Sequence, residues 1–233
     1  MKIMGNPITF TPKNVPVYSA GFLSEDEQKA YEDAVKKFKN KRARQVLNVP
    51  IKGSNLFKVL LLNQIGIRTA TMAELDQIVQ ADKNFLIGKC EDAPSVVLRS
   101  NGDSNINNDY LAKSLAKSIK VKRFSGMPFV ISGMELFEDN NSAYGLNFKA
   151  GKTFDFFKAP ELMRNCQFKI MNEKGIPVED EMGNRTSYTR QDGLSRFFLN
   201  MYMDVRSSYR NLIESDESRL VVVVKALEAS SQK

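Results

Sequence analysis

The stretch Ser125-Gly126-Met127-Pro128-Phe129-Val130-Ile131 marks a change in the character of this 233-residue chain. Before it, helix-capping patterns recur and apolar residues return every three to four positions, which is typical of amphipathic helices. After it, turn signals recur at short intervals and the apolar runs are short or alternating, which is typical of strands. Because this stretch reads as a turn followed by a strand, and not as a linker, we expect the two halves to belong together.

This order of elements predicts an α+β protein, in which a helix-rich N-terminal half packs with a mostly antiparallel, β-rich C-terminal half. We treat residues 1–233 as a single α+β unit. A subdivision stays open, with a helical and basic half at 1–125, a β-rich half at 126–225 and a frayed polar tail at 226–233. A chain of this length can bury about 70% of its unfolded surface, so it needs no metal or disulfide to hold a core.

Capping patterns locate the predicted helices. The capping boxes Ser24–Glu27 and Thr71–Glu74 each begin one, and the first is expected to run to about Arg44. Ser54 is expected to cap a buried apolar helix over Leu56–Gln64.

Apolar patterns locate the remaining elements. A helix is expected from Asp109, after a polar loop that would cap it through Asn107 or Asn108. The predicted strands include Val46–Ile51, Ser95–Arg99, Phe129–Ile131, Tyr144–Phe148, Phe154–Phe157, Cys166–Met171, a long half-buried strand Phe197–Val205 and a buried last strand Val221–Val224.

Several residue types and motifs are absent from the sequence. It contains no histidine, which excludes Ser-His-Asp and Cys-His nucleophiles and the usual zinc sites. No glycine-rich phosphate loop of the GxxxxGK[ST] or GxGxxG type occurs. We therefore expect no cofactor, no metal site and no catalytic residues, and we favour a non-enzymatic protein.

Two further features bear on location. Cys90 and Cys166 lie far apart, and we expect two reduced thiols of the cytosolic type. The N-terminus lacks the apolar stretch of a signal peptide, and the longest apolar runs have four and five residues, far fewer than a membrane span needs. These features predict a cytoplasmic protein with no membrane partner.

Positive charge is concentrated in the first half of the chain. The net charge is +7. Residues 1–126 hold 20 basic and 12 acidic residues, a net charge of +8, whereas residues 127–233 hold 14 basic and 15 acidic residues, a net charge of −1. The basic residues gather near two predicted helix ends, at Lys36, Lys37, Lys39, Lys41, Arg42 and Arg44, and at Lys113, Lys117, Lys120, Lys122 and Arg123.

Two interpretations of these clusters stay open. Cations stabilise the ends of helices by complementing the helix dipole, so the clusters could be solvated helix ends. They could also be an electrostatic footprint for the phosphates of nucleic acid, bound with low sequence specificity. On the second interpretation the binding residues are Lys37, Lys41, Arg42, Arg44, Lys117, Lys120 and Arg123.

Acidic and polar loops offer a weaker alternative. The alternating Asp and Asn residues of 103–109 resemble the start of a calcium loop, but the glycine and the last glutamate of that motif are missing. Glu138 and Asp139, with Lys149 nearby, could hold Mg²⁺ in an enzyme. Acidic turns are common, so this Mg²⁺-dependent enzyme is our second alternative function.

Aromatic residues cluster twice in the second half, at Phe154, Phe156 and Phe157 and at Phe197, Phe198 and Tyr202, the latter flanked by Arg196, Arg206 and Arg210. Each cluster could be core, or an exposed stacking platform for single-stranded nucleic acid.

Our first hypothesis is a non-catalytic protein that binds nucleic acid through the basic helix ends. The main alternative is a structural subunit of a coat or filament. It would self-assemble into a homo-oligomer through a proline-rich N-terminal arm and an open β-edge.

Overall fold

A computed structural model describes residues 8–10, 18–49, 53–122, 124, 126–215 and 221–226. In chain order the elements are β1 (Ile8–Phe10), β2 (Tyr18–Phe22), α1 (Glu25–Lys36), α2 (Lys41–Asn48), α3 (Leu56–Gln64), α4 (Met72–Ala81), α5 (Lys83–Leu86), β3 (Glu91–Leu98), α6 (Ile106–Ser118), β4 (Phe129–Glu138), β5 (Leu146–Lys158), a 3₁₀ turn (Pro160–Met163), β6 (Cys166–Met171), β7 (Pro177–Glu179), β8 (Arg185–Tyr188), β9 (Leu194–Leu199), β10 (Val205–Arg206) and β11 (Val222–Ala226). The α+β class and the helix-rich first half are confirmed. The predicted tail lies outside the described residues, apart from Ala226.

Both capping boxes are confirmed. Ser24 accepts a hydrogen bond from the backbone of Glu27, whose side chain accepts one in return, and Thr71 and Glu74 repeat this arrangement. Each box satisfies backbone N–H groups that the first turn of a helix leaves free, so the signal is local and readable from sequence.

The prediction that the first helix continues to Arg44 is wrong, and so is the prediction of a strand over Val46–Ile51. α1 ends at Lys36 and a second helix, α2, begins at Lys41. The side chain of Asn40 accepts hydrogen bonds from two backbone N–H groups and so caps α2. Ala43, Val46 and Leu47 are buried on one face of this helix. Their i, i+3, i+4 spacing is helical, although Val46–Ile51 also fits the apolar pattern of a strand.

Two other helices begin with a cap different from the predicted one. The side chain of Asn55, not Ser54, accepts the backbone N–H of Lys58 at the start of α3. α6 begins at Ile106 rather than Asp109, and Asn105 caps it. In both cases a neighbouring polar residue has the extended backbone that an N-cap requires.

The strands form two sheets. The large sheet has the order β5-β4-β3-β9-β10-β8-β6-β7, and all its pairs are antiparallel except β10 with β8. The small sheet has the order β1-β2-β11. β3 comes from the first half of the chain and lies inside the large sheet, whereas β11 comes from the second half and pairs with β2. Each sheet therefore contains strands from both halves of the sequence.

Hydrophobic cores lie on both faces of the large sheet. Val96 and Leu98 belong to one core, together with apolar residues of α1, α2, α3 and α6. Val97, which points to the opposite face, belongs to the other core, with residues of α4, α5, β2 and β11. Side chains alternate along a strand, so each central strand contributes to both cores. We call the side with α1, α2, α3 and α6 the α6 face.

This two-sided burial corrects the prediction for Phe197–Val205. β9 ends at Leu199, and the chain turns through Asn200, whose side chain accepts the backbone N–H groups of Tyr202 and Asp204. All six residues of β9 are buried rather than every second one. The strand is covered on both faces, so alternation of its residues does not indicate which side meets water.

Candidate nucleic-acid interface

A groove lies between α1 and α2 on the α6 face. Its volume is about 640 Å³. Tyr31, Val35 and Leu47 provide its apolar lining. Its charged lining residues are Glu32, Lys36, Lys41 and Arg44, and its neutral polar ones are Gln28, Gln45 and Asn48. We call this feature the α1–α2 groove.

The end of α1 and the start of α2 bring basic residues to this groove. Only four residues separate Lys36 from Lys41, so the chain reverses sharply between the two helices. Lys41 and Arg44 lie one helical turn apart and share one edge of α2. The structure therefore brings together two of the predicted binding residues, with Lys36 as a third cation. Lys36 also forms an exposed ion pair with Asp33 at 2.8 Å.

Arg42 takes a different role. Its Nε donates to the carbonyl of Ala143 at 3.1 Å, in the turn that joins β4 to β5. The backbone N–H of Asn40 donates to Glu138 at 2.6 Å, which fixes the start of α2 to the same turn. Gly145 has a φ of +68°, and a Cβ there would lie 2.7 Å from the backbone N of Ala43. A glycine is thus needed for this close approach. Arg42 remains exposed on the hairpin side of α2.

The remaining predicted residues lie elsewhere. Lys37 is exposed at the C-terminal end of α1. Lys117 and Lys120 are exposed at the end of α6, where Lys120 has the left-handed φ of 54° that terminates the helix. Arg123 lies outside the described residues.

The two basic clusters lie on one face of the sheet, one beside the turn of the β4–β5 hairpin and the other at the C-terminal end of α6. α2 contacts the hairpin turn through Arg42. α6 begins near the same turn, where Tyr110 donates to Asp139, and Lys117 and Lys120 lie about 10 to 15 Å farther along its axis. The chain just after α6 contacts the other end of the hairpin, where the ring of Phe124 lies 5.5 Å from that of Phe129 at the start of β4. The clusters are therefore two basic areas of the same face, carried by different helices.

Four phenylalanines form a row at this second end. The ring centroids of Phe124 and Phe129 lie 5.5 Å apart, those of Phe129 and Phe156 6.3 Å apart, and those of Phe156 and Phe154 6.2 Å apart. Phe124 and Phe129 are buried, Phe154 is half-buried, and Phe156 is 39% exposed. We call this feature the aromatic row. Phe157 points to the opposite face, where Lys174 lies over its ring.

The second phenylalanine cluster is core. Phe197 and Phe198 are buried, and Arg196 is buried beside them. Both oxygens of Asp92 accept from Arg196, at 2.7 and 2.6 Å. These two phenylalanines therefore offer no stacking surface, whereas Tyr202 of the same predicted cluster is exposed in the turn after β9.

The acidic groups singled out from the sequence are occupied by protein donors. Glu138 accepts from Asn40, and Asp139 accepts from the hydroxyl of Tyr110 at 2.9 Å and from Asn147 at 2.9 Å. These bonds are among the causes that lower the pKa of Asp139. Within the described ranges, no group of three or more Cys, Asp or Glu side chains could hold a metal ion.

The loop before α6 is held in the same way. Asp103 accepts from Arg190 at 3.1 and 3.3 Å and from the backbone of Leu194 at 2.6 Å. Asp109 forms an ion pair with Lys113. The Asp residues that resemble a calcium loop therefore accept hydrogen bonds from the protein itself, and those of Asp103 join the loop to the sheet.

Sequence reasoning missed a set of buried charged residues. Among the described residues, three ion pairs have side chains that are at most 6% exposed, namely Arg185–Asp76, Arg190–Asp103 and Arg196–Asp92. Arg99 instead donates to the hydroxyls of Ser195, Thr189 and Ser207, at 3.0, 2.6 and 2.8 Å. Burial, and then the charge of Arg190, lower the pKa of Arg99 to about 9. An arginine inside an apolar run was the available signal, because buried charges need partners.

Lys58 and Glu91 are buried as well. The Nζ of Lys58 donates to Gln28 at 3.0 Å and lies 5.1 Å from the ring centroid of Tyr31. Burial lowers the pKa of Lys58 to about 8. Glu91 accepts the backbone N–H of Val222 at 3.1 Å, and burial raises its pKa. Gln28 and Tyr31 also line the α1–α2 groove. Lys58 therefore contacts two residues of the groove lining from the buried side.

Comparison with models of protein families, with curated proteins and with solved structures finds no match. The described part of the chain contains no helix that is long and apolar enough to cross a bilayer.

Proposed function

We propose that this protein is a non-catalytic nucleic-acid-binding protein that contacts phosphates through the basic areas of the α6 face. The observation that carries the proposal is the α1–α2 groove, where Lys36, Lys41 and Arg44 line one concave surface and Glu32 provides the one carboxylate of the lining. Cations grouped in a concave surface attract a polyanion more strongly than the same charges dispersed.

The second basic area supports the same proposal. Lys117 and Lys120 lie on the same face as the groove, so one extended polyanion can contact both areas. Phosphate contacts of this kind position a nucleic acid but do not select its sequence.

Charge reversal in the groove tests the proposal. Binding of a labelled duplex of about 20 base pairs is measured by fluorescence anisotropy at several salt concentrations. We expect the double variant Lys41→Glu/Arg44→Glu to weaken binding at least tenfold at low salt. If each side chain contacts one phosphate, the slope of log K against log salt becomes about 2 units less negative.

The matched control reverses two exposed lysines that border the other core, in the variant Lys83→Glu/Lys169→Glu. It changes the net charge by the same amount, so a loss specific to the groove must exceed the loss in the control. Equal losses in the two variants, or no binding by the unmodified chain at low salt, would contradict the proposal.

Self-assembly is the second candidate function, and the sheet order favours it. β5 is a terminal strand of the large sheet and is its longest strand, with 13 residues. Terminal strands can add a strand from another chain. The N-terminal segment is less suited to this role, since Ile8–Phe10 pairs with β2 of its own chain. Light scattering tests the idea. We expect Thr153→Pro to return a multi-subunit mass to that of one chain, and a single-chain mass for the unmodified protein would contradict it.

A further inference from the structure

The aromatic row extends from the core to the edge of the sheet. Phe124 and Phe129 are 7% and 5% exposed, whereas Phe156, on the edge strand, is 39% exposed. Ring centroids spaced by 5.5 to 6.3 Å connect the row, so the buried rings hold the exposed ones in place. A phenylalanine presented to water on a rigid support differs from a mobile surface side chain, because little conformational entropy is lost when a partner packs on it.

Lysines lie near both ends of this row, one beside the exposed ring of Phe156 and three in the segment that leads to Phe124. Lys158 follows Phe156 by two residues and so shares its side of the strand. Lys117, Lys120 and Lys122 are exposed at and just after the end of α6, and Phe124 joins that segment to the row. β5 carries three lysines and one acidic residue, Asp155, which alternates to the side opposite Phe156. The surface is therefore aromatic and net basic.

We propose that the aromatic row binds single-stranded nucleic acid, with bases stacked on Phe154 and Phe156 and phosphates held by the lysines of α6 and β5. This inference rests on the proposed nucleic-acid function and names the form of nucleic acid that the second basic area takes. An unpaired strand exposes the faces of its bases, whereas a duplex hides them inside its own stack. Charge complementarity alone would suit either form, so the exposed rings favour the single strand.

The alternative interpretation is that Phe156 has only a structural role and completes the core at the edge of the sheet. In that case its ring should be covered by the chain, as Phe129 is. Instead Phe156 stands in the segment of β5 that is exposed on both sides, with Lys152, Thr153, Asp155 and Lys158 also exposed. Binding measurements separate the two interpretations.

The experiment measures binding of a labelled oligothymidylate of about 20 nucleotides and of a duplex of the same length, in the same buffer. The test variant is Phe154→Leu/Phe156→Leu, which keeps apolar bulk but removes both rings. Stacking on an aromatic side chain contributes enough that we expect a loss of about ten- to hundredfold in affinity for the single strand. Affinity for the duplex should change by less than about twofold, because phosphate contacts remain.

Two control variants make the result specific. Phe154→Tyr/Phe156→Tyr keeps the rings and should retain single-strand binding. Phe157→Leu removes a neighbouring ring from the opposite face of β5 and should also retain it. Circular dichroism and thermal unfolding show whether each variant is folded, and the tyrosine variant keeps the proposal testable if the leucine variant is not.

The outcomes separate this inference from the proposed function. If the unmodified chain binds the duplex and the leucine variant binds the single strand as well as before, the aromatic row is not a stacking site, although the proposed function stands. If the tyrosine variant loses as much affinity as the leucine variant, the rings do not act by stacking and the inference is overturned. If the unmodified chain binds neither probe, both proposals fail. If the leucine variant changes only the mass in light scattering, the row serves contacts between copies and the inference is overturned.

Discussion

Strand β9 and the last part of β5 have similar sequences and opposite environments. β9 contains Ser195-Arg196-Phe197-Phe198, and β5 contains Phe154-Asp155-Phe156-Phe157. Every residue of β9 is buried, whereas Asp155 and Phe156 are exposed. β9 lies between β3 and β10 with a core on each face, and β5 ends the sheet. The position of a strand in the sheet, more than its own residues, therefore decides whether its side chains are buried or exposed.

The charged residue of each strand illustrates the same point. Arg196 is 2% exposed, and it is tolerated there because Asp92 accepts two hydrogen bonds from it. Asp155 is exposed and solvated by water. The charge of Arg196 in β9 therefore forms a buried ion pair that holds the fold, whereas the charge of Asp155 in β5 lies at the protein surface.

Breaking the ion pair in β9 should have the largest effect. Arg196→Met leaves the carboxylate of Asp92 buried without its guanidinium, and we expect the free energy of unfolding to fall by about 3–5 kcal/mol. Urea denaturation followed by circular dichroism measures it. The double variant Arg196→Met/Asp92→Asn should recover part of the loss, because it removes the buried, unpaired carboxylate of Asp92.

The matched change in β5 is Asp155→Asn, which we expect to alter the free energy of unfolding by no more than about 0.5 kcal/mol. Similar losses from Arg196→Met and Asp155→Asn would contradict the difference between the two strands.

Truncating the phenylalanines tests the same comparison with apolar residues. Phe197 is 1% exposed, and Phe197→Ala should cost about 3–5 kcal/mol, from lost burial and the cavity that remains. Phe156→Ala should cost about 1 kcal/mol or less, since its ring already meets water. The same urea titrations give both values. A loss from Phe156→Ala as large as that from Phe197→Ala would show that Phe156 is core, and would remove the surface proposed for stacking.

Glu91 sharpens the comparison through pH. It lies opposite Leu199 in the pairing of β3 with β9, and burial raises the pKa of its carboxyl well above the usual value. The folded chain then keeps a proton that the unfolded chain loses, so this group lowers stability as pH rises above the ordinary glutamate pKa of about 4.3.

Glu91→Gln removes this dependence while an amide oxygen can still accept the N–H of Val222. We expect the stability of the variant, relative to the unmodified chain, to increase from pH 4 to neutral pH, measured by urea denaturation at each pH (roughly half-unit steps). Parallel stability curves for the two proteins would contradict a raised pKa at Glu91.

Local signals predicted the parts of the fold that depend on a few neighbouring residues. Ser24 and Thr71 begin helices as expected, because a capping box is complete within four residues. The class of the protein follows from such signals summed over each half of the chain.

The wrong predictions occur where a short run of apolar residues fits a strand and a helix equally well. Most residues of Val46–Ile51 are β-branched or apolar, which favours a strand, yet Val46 and Leu47 lie on the buried face of α2. Asn40 decides the matter by capping a new helix, and its side chain and backbone are held by the β4–β5 turn, about a hundred residues away in sequence. Such a contact leaves no local pattern.

The candidate site divides in the same way. The basic clusters are visible in the sequence, and Lys41 and Arg44 were named from it. That they line a groove with Lys36 depends on the reversal between α1 and α2. The aromatic row depends on pairing between β4 and β5, which places Phe129 beside Phe156.

The α+β class, the two capping boxes, the concentration of positive charge in the first half and the exclusion of imidazole chemistry can all be read from the amino-acid sequence. Each of these depends on composition or on interactions between residues a few positions apart. The burial of Phe197 against the exposure of Phe156, and the pairing of Arg196 against the exposure of Lys41, follow instead from the folded arrangement. Those outcomes depend on strand order and on two-sided burial, which arise from contacts between residues distant in sequence.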